Sequence, residues 1–272
     1  MEQKKIAFIG AGNMVRAIVA GLVADGYPAS LITATAPSTT RRLPLEDTYG
    51  IHTTSDNIQA ANDADVVVLS VKPQMMEAVC QPLQGIDFSN KLVISIAAGI
   101  HCQRLQEMLA TKAPLVRVMP NTPSQLGKGM SGLYAPESVS DSDKAFAEQL
   151  MSAVGRCCWV EQESGINNII AAAGSAPAYF FLFMEAMQQE AMALGFDKET
   201  ARLLVQQSAL GAAEMVVANP DIELSTLREQ VTSKGGTTAE ALRTFNEHQL
   251  SAIVAKAMQA AVSRAQEMET LF

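Results

Sequence analysis

The chain has 272 residues, 48% apolar and 18% charged, with a net charge of −8. At about 150 residues per domain this is enough for one or two packed domains, and the apolar share excludes an unfolded chain. Twenty Lys and Arg against 28 Asp and Glu, with no basic cluster, leave no electrostatic footprint for nucleic acid or for an anionic membrane surface.

The first strand is expected at residues 6–9, where Ile-Ala-Phe-Ile stands, followed by a helix over 14–25 and a strand over 31–35. Further strands are read at 64–71, 92–96, 115–119 and 157–160, with helices at 75–82 and 102–109. Short, continuously apolar strands alternating with helices predict a parallel sheet covered on both faces. From Gly165 onward strand signals stop, and helical patterns run over 172–194, 198–218, 224–231, 237–246 and 250–268. Pro177 inside such a pattern predicts a break or kink. The expected organisation is an α/β dinucleotide-binding domain of the Rossmann type over 1–162 and an all-helical domain over 163–272. Charged residues average roughly 25% in soluble domains, so 18% points to surface covered by a second subunit.

Cys80, Cys102, Cys157 and Cys158 show no C-x-x-C spacing and His52, His101 and His248 are scattered, so no metal site is expected. Four reduced thiols and an N-terminus that enters an apolar strand at once suggest a cytoplasmic protein without a signal peptide. With no uninterrupted apolar run of about 18 residues, no membrane span is expected.

Gly10-Ala11-Gly12-Asn13-Met14-Val15 follows the first strand and opens a helix. In a dinucleotide site the first glycine makes the tight turn, and the second lets the backbone approach a pyrophosphate resting on the helix N-terminus. A plain strand–helix connection has the same look, and Val15 replaces the usual third small residue. The N-terminal position and the α/β alternation favour the dinucleotide. An NAD site wants a carboxylate after the second strand, yet no acidic residue occurs between Asp25 and Glu46. Thr35, Ser38, Thr39, Thr40, Arg41 and Arg42 stand there instead, a set suited to the 2′-phosphate of NADP or to a solvated helix start.

Other strand ends add Ser70-Val71-Lys72-Pro73, Ser95-Ile96-Ala97-Ala98-Gly99 and Met119-Pro120-Asn121-Thr122-Pro123, where the prolines stiffen the loop around Asn121. In the helical part, Ser233-Lys234-Gly235-Gly236-Thr237-Thr238-Ala239-Glu240 lies between two helices. Thr237 and Glu240 have capping-box spacing, which reads as a helix–helix joint. The same N–H groups also suit a small carboxylate, with the Thr238 hydroxyl beside it.

Taken in order, these segments resemble the pyrroline-5-carboxylate reductase family. The resemblance runs from the first strand to the last helix and includes Arg117 to Pro123 and Gly174-Ser175-Ala176-Pro177-Ala178-Tyr179. Val15 stands where the family has a small residue and Lys234 where it has Pro; neither change removes a group the reaction needs. The resemblance implies reduction of 1-pyrroline-5-carboxylate to proline with NADPH, or less favourably NADH, in a homodimer formed through the C-terminal helices. Larger rings of dimers occur among the family's assemblies.

It further implies that Gly10, Ala11, Gly12, Asn13 and Met14 hold pyrophosphate and that Thr35 and Ser38 lie toward the 2′-phosphate, with Asn57 on the adenosine side. Val71, Lys72, Pro73, Ala97, Ala98, Gly99 and Asn121 would line the ribose and nicotinamide. Ser233, Gly236, Thr237 and Thr238 would receive substrate, with Glu163 and Ser175 as further candidates and Thr238 as the catalytic residue. An iminium carbon is already electrophilic, so alignment matters more than a strong acid, in keeping with the lack of a His, Cys or Lys–carboxylate constellation. Two rivals are a reductase of another cyclic imine and a non-catalytic NADP-binding regulator. A β-hydroxyacid enzyme would need a lysine early in the helical part, and the first after Lys144 is Lys198.

Overall fold

In a computed structural model residues 1–271 are described, and strand and helix alternate as far as Trp159. β1 (Ile6–Ile9) leads into α1 (Asn13–Ala24), β2 (Ile32–Thr35) into α2 (Thr39–Tyr49), and β3 (His52–Thr54) into α3 (Asn57–Asp63). β4 (Val66–Leu69) leads into α4 (Pro73–Cys80) and β5 (Leu92–Ser95) into α5 (Cys102–Met108). β6 (Leu115–Met119) and β7 (Gly129–Tyr134) are joined by a 3₁₀ turn, and α6 (Asp141–Ser152) and β8 (Gly155–Trp159) complete the sheet.

The eight strands form one sheet in the order β3-β2-β1-β4-β5-β6-β7-β8. Every pair is parallel, as expected, except β6 and β7, which run antiparallel. Only a short turn (Thr122–Leu126, closed by Gly127 at φ 66°) separates β6 from β7, too little chain for a crossover. β7 and β8 lie so close that a Cβ on Gly155 would stand 2.0 Å from the Gly129 carbonyl oxygen.

Side chains alternate between the two faces. Ile6, Phe8, Val66, Val68 and Ile94 pack with Val15, Ile18, Val19 and Leu22 of α1 and with α6 residues including Phe146 and Leu150. Ala7, Ile9, Val67, Leu69 and Val93 enter a second core with Ala60, Met76 and Leu105 from α3, α4 and α5. Both faces of β1, β4 and β5 are therefore buried, the physical reason these strands read as unbroken apolar runs.

Beyond the sheet come α7 (Gly165–Ile169), a π-helical turn (Ile170–Gly174), α8 (Ala176–Ala193) and α9 (Lys198–Ala218). The chain continues through α10 (Leu224–Gln230), α11 (Thr237–Glu247) and α12 (Leu250–Glu269). The expected break falls ahead of Pro177: the Ser175 N–H reaches the Ile170 carbonyl at 2.8 Å, and Pro177 sits in the opening turn of α8, where its missing N–H removes no helical bond.

Contacts divide the chain into two compact units. One comprises Met1–Ser175 with the chain from Ala261 onward, the other Ala176–Ala260. The change in composition near residue 163 thus precedes the division in contacts, because α7 and the π turn stay with the sheet; Ile166, Asn167 and Ala171 are buried there. In the second unit Phe183 and Phe245 are in ring contact at 5.9 Å, yet α8 buries none of its residues. Phe180, Phe181 and Leu182 are 67%, 62% and 67% exposed. The helical run Gly165–Ala193, mean hydropathy 1.5 over its most apolar window, is long and apolar enough to cross a membrane by length and composition. Asn167, Ser175 and Glu185 interrupt it, so the sequence shows no unbroken apolar stretch there.

Candidate functional site

The strand order reverses direction beside β1: β2 and β3 lie on one side, β4 and β5 on the other. Ligands of open α/β sheets bind in the crevice outside the carboxyl ends of the strands at such a point. The ends are level, with Ile9 beside Thr35 and Leu69, and Leu69 beside Ser95.

Gly10 leaves β1 at φ 122°, and a Cβ on it would stand 2.9 Å from the Ser70 carbonyl oxygen. Ser70 Oγ donates to the Ile9 carbonyl at 2.9 Å, holding the ends of β1 and β4 together. Gly12 is the N-cap of α1, and no side chain caps the helix. Nothing lies within 4 Å of the position a Cβ on Gly12 would take. The opening N–H groups of a helix have no partner inside it, so this end offers donors and open space to an anion. That cradle fits the pyrophosphate of a dinucleotide. Ala11 and Met14 are half-buried and Asn13 is exposed. Val15 is fully buried in the core beneath α1, so the departure at the motif's third position fills packing space without entering the cradle.

Thr35, expected to contact the cofactor directly, is buried under this turn. Its Oγ1 accepts the Gly10 N–H at 3.2 Å and donates to Asn57 Oδ1 at 2.6 Å, so its hydroxyl shapes the loop from below. Asn57 opens α3, which Asp56 caps by accepting from the N–H groups of Ile58 and Gln59. Ser38 is exposed at the start of α2, with Oγ 2.5 Å from Thr40 Oγ1. Arg41 is exposed, and Arg42 carries a buried Nε without a partner. The rim beyond β2 thus has hydroxyls and guanidinium groups and lacks the carboxylate an NAD ribose would want.

Past β4, Val71 and Pro73 are half-buried and Lys72 is exposed as the N-cap of α4. Past β5, the buried Ser95 Oγ accepts the Ala97 N–H at 3.3 Å; Ala97 is buried and Ala98 half-buried. Gly99 turns at φ 73°, with Met268 Cβ 3.0 Å from where its own Cβ would be. Asn121 is buried with both ends of its amide used: Nδ2 donates to the Ala173 carbonyl at 3.0 Å, and Oδ1 accepts the Met130 N–H at 2.9 Å. Its side chain therefore braces the loop after β6.

Glu163 is likewise bonded within the chain. Its Oε1 accepts from Arg117 Nη1 at 2.7 Å and from the Cys102 N–H at 2.7 Å, and lies 3.4 Å from His101 Nδ1. Burial alone would raise its carboxyl pKa, but the Arg117 bond, the Cys102 N–H and the charge of Arg117 bring it below the ordinary carboxylate value. A carboxylate committed in this way balances a buried guanidinium. Arg117, 1% exposed, was not singled out, though a lone charge in the apolar run Leu115-Val-Arg-Val-Met was the signal available. Ser175, half-buried, ends the π turn. Among the described residues no group of three or more His, Cys, Asp and Glu side chains could hold a metal ion.

In the second unit, the Gly236 N–H bonds the Ser233 carbonyl at 3.0 Å, and Gly235 turns at φ 72°. Gly236, not Thr237, is the N-cap of α11, and no side chain caps the helix. Glu240 is instead paired with Arg243, Nε to Oε2 at 3.0 Å, so the expected capping box does not form. Ser233, Thr237 and Thr238 are exposed at this uncapped helix start. The second unit therefore carries its own anion-receptive turn with hydroxyls on it.

Two family models match the chain in order. Residues 5–99 match one described as NADP oxidoreductase, coenzyme F420-dependent, and residues 163–268 match pyrroline-5-carboxylate reductase dimerisation. Over the full length of both chains it is 81% identical to a pyrroline-5-carboxylate reductase of Vibrio alginolyticus. The structure of such a reductase from Coxiella burnetii is similar at a TM-score of 0.93 and 44% identity, covering 98% of this chain and 99% of that one. The Plasmodium falciparum pyrroline carboxylate reductase, solved with NADP bound, gives a TM-score of 0.87 and 28% identity over 99% of each chain. Identity that high along the whole length, with both halves matched in sequence order, makes this chain a member of the pyrroline-5-carboxylate reductase family.

Proposed function

We propose that the chain reduces 1-pyrroline-5-carboxylate to proline, using NADPH in preference to NADH. The observation that carries this reading is the open, uncapped turn at Gly12, at the switch point of a sheet whose second strand ends without a carboxylate. When bound, NADPH supplies the hydride. The residues from Gly10 to Met14 would hold its pyrophosphate on the start of α1, with Ser38 and its neighbours toward the 2′-phosphate and Asn57 toward the adenosine. Val71 to Pro73 and Ala97 to Gly99 would border the nicotinamide, with Thr35 and Asn121 holding the loops in place.

The substrate carboxylate is assigned to Ser233, Gly236 and Thr237 at the start of α11, and Ser175 remains a candidate contact. Thr238 would hydrogen-bond the ring nitrogen. The imine takes a proton at nitrogen and a hydride at carbon, giving the secondary amine; Thr238 orients the nitrogen and passes that proton on from solvent. Orientation is the larger demand, because a protonated imine is already a strong electrophile.

The protein is a homo-oligomer, with residues 163–268 matching the family's dimerisation region. We assign the exposed apolar side chains of α8 and α9 to that interface, which explains the low charge and leaves no need for a membrane. A homodimer through the segment from 163 to 272, assembled further into rings of dimers, is the proposed state. The cytoplasm is the proposed compartment, in keeping with four free cysteines.

The test is spectrophotometric. Purified protein mixed with pyrroline-5-carboxylate should consume NADPH faster than NADH, and a larger cyclic imine should react more slowly. Folded, oligomeric protein that binds NADPH without oxidising it in the presence of this substrate overturns the reading.

A further inference from the structure

A partly buried charged cluster lies beside the loop after β5 and has no part in the chemistry above. Arg117 stands in the middle of β6, 1% exposed. Glu163 pairs with it at 2.7 Å, and Glu269 near the end of α12 lies 3.8 Å away. His101 links the two carboxylates, with Nδ1 3.4 Å from Glu163 Oε1 and Nε2 3.2 Å from Glu269 Oε2. Its Nδ1 is also 3.3 Å from Arg117 Nη1. Arg117 Nη2 and Glu269 Oε1 are each buried without a hydrogen-bond partner.

Such a cluster is poorly explained as a source of stability. Apolar replacements of buried ion pairs are often neutral or stabilising, because the desolvation of the charges offsets their attraction. What distinguishes this one is where it takes hold. Two consecutive residues of α12, Met268 and Glu269, reach the same short loop. Met268 covers Gly99, and Glu269 meets His101 two residues on. From the other side Glu163 accepts the N–H of Cys102, an opening donor of α5 whose N-cap His101 makes no side-chain cap of its own. The loop from Ala97 to Cys102 is thus pinned at Gly99, at the His101 ring and at the Cys102 backbone.

We infer that Arg117, Glu163, His101 and Glu269 form a clasp that fixes the Ala97–Gly99 loop, making His101 and Glu269 positioning residues for the nicotinamide end of the cofactor. This rests on the reading above that Ala97 to Gly99 border the nicotinamide. A displacement of about 1 Å at a positioning contact can lower a rate about a hundredfold, so a loop held only by α5 would not serve.

The test uses Glu269→Ala and Glu269→Gln in the full-length protein, with NADPH binding followed by its fluorescence in the absence of substrate, alongside steady-state kinetics and thermal melts. Glu269→Ala should weaken NADPH binding about tenfold, and raise the KM for NADPH more than the KM for pyrroline-5-carboxylate. Glu269→Gln keeps an oxygen for His101 Nε2–H and should return both to within about twofold of the parent. A purely structural role predicts a lower Tm for Glu269→Ala with NADPH affinity and KM unchanged, and that result overturns the inference. Should Glu269→Ala fail to fold, Met268→Gly removes the Cβ and side chain that cover Gly99 without disturbing a charge. It should show the same selective loss of NADPH affinity, and unchanged affinity there is equally decisive against the clasp. Failure of the parent protein to reduce pyrroline-5-carboxylate would instead strike the functional reading.

Discussion

The two glycines of the first turn separate folding from cofactor binding, because an added methyl meets opposite surroundings at each. Gly12 has ordinary extended angles, φ −83° and ψ 179°, and nothing lies within 4 Å of its absent Cβ. Alanine there meets no clash. It is a poorer N-cap than glycine by about 0.5 kcal/mol, and a less flexible unfolded chain returns about 0.4–1 kcal/mol, so stability should barely change. Gly10 sits at φ 122°, where an L-residue is strained by about 1–3 kcal/mol, and its Cβ would lie 2.9 Å from a backbone oxygen of Ser70. Gly10→Ala should therefore cost about 2–4 kcal/mol, or about 4–16 °C in Tm at roughly 2–4 °C per kcal/mol. Gly12→Ala should melt within about 1–2 °C of the parent yet bind NADPH at least about tenfold more weakly, since the methyl occupies the space a pyrophosphate would use. Calorimetric melts and NADPH titration by fluorescence measure the two quantities. Gly12→Ala with parental NADPH affinity would refute the placement of the pyrophosphate.

Thr238→Ala should lower kcat about 10–100-fold, the loss of one orienting hydrogen bond, while NADPH affinity stays within about twofold; unchanged kcat removes Thr238 from the mechanism. The folded Glu163 carboxyl titrates below its ordinary value of 4.5, so the stability it contributes is complete above that pH and is lost as pH falls through the lower folded value. Glu163→Gln should destabilise the fold at pH 7 by about 3 kcal/mol, the low end for removing one partner of a buried pair, as Glu269 stays 3.8 Å from Arg117. Urea melts should find that gap narrowing in acid, and a gap independent of pH would deny the pairing. Phe181→Asp with Leu182→Asp should shift the sedimenting species toward monomer, and parental sedimentation would take the interface off this part of α8.

The central strands were legible because burial on both faces leaves no polar alternation to confuse the pattern; β1, β4, β5 and β6 lie within a residue or two of where their apolar runs put them. β7 was missed because its sequence, Gly-Met-Ser-Gly-Leu-Tyr, answers to close approach. Gly129 faces Gly155 across the ladder, and a Cβ on Gly132 would stand 2.5 Å from Ile169 Cγ2. β3 is a short polar edge strand, and α2 carries Pro44 in an otherwise polar segment, so neither offers an apolar period. The glycine turn was legible because its constraints are local to a few adjacent residues. The internal partners of Thr35, Asn121 and Glu163 were not legible, for the opposite reason. Each side chain bonds a residue 22 to 61 positions away, and such partners have no mark in linear spacing.

The division of contacts also has a bearing on how the chain is made. Chains leave the ribosome N-terminus first and fold unit by unit as they emerge. Here the residues from Ala261 onward belong with the sheet. All eight strands and their helices are therefore available long before Met268 and Glu269 exist to cover Gly99 and meet His101. A nascent chain arrested before Ala261 carries the whole sheet with the loop after β5 held by Glu163 alone, and translation must run through the entire helical unit before the second hold is made.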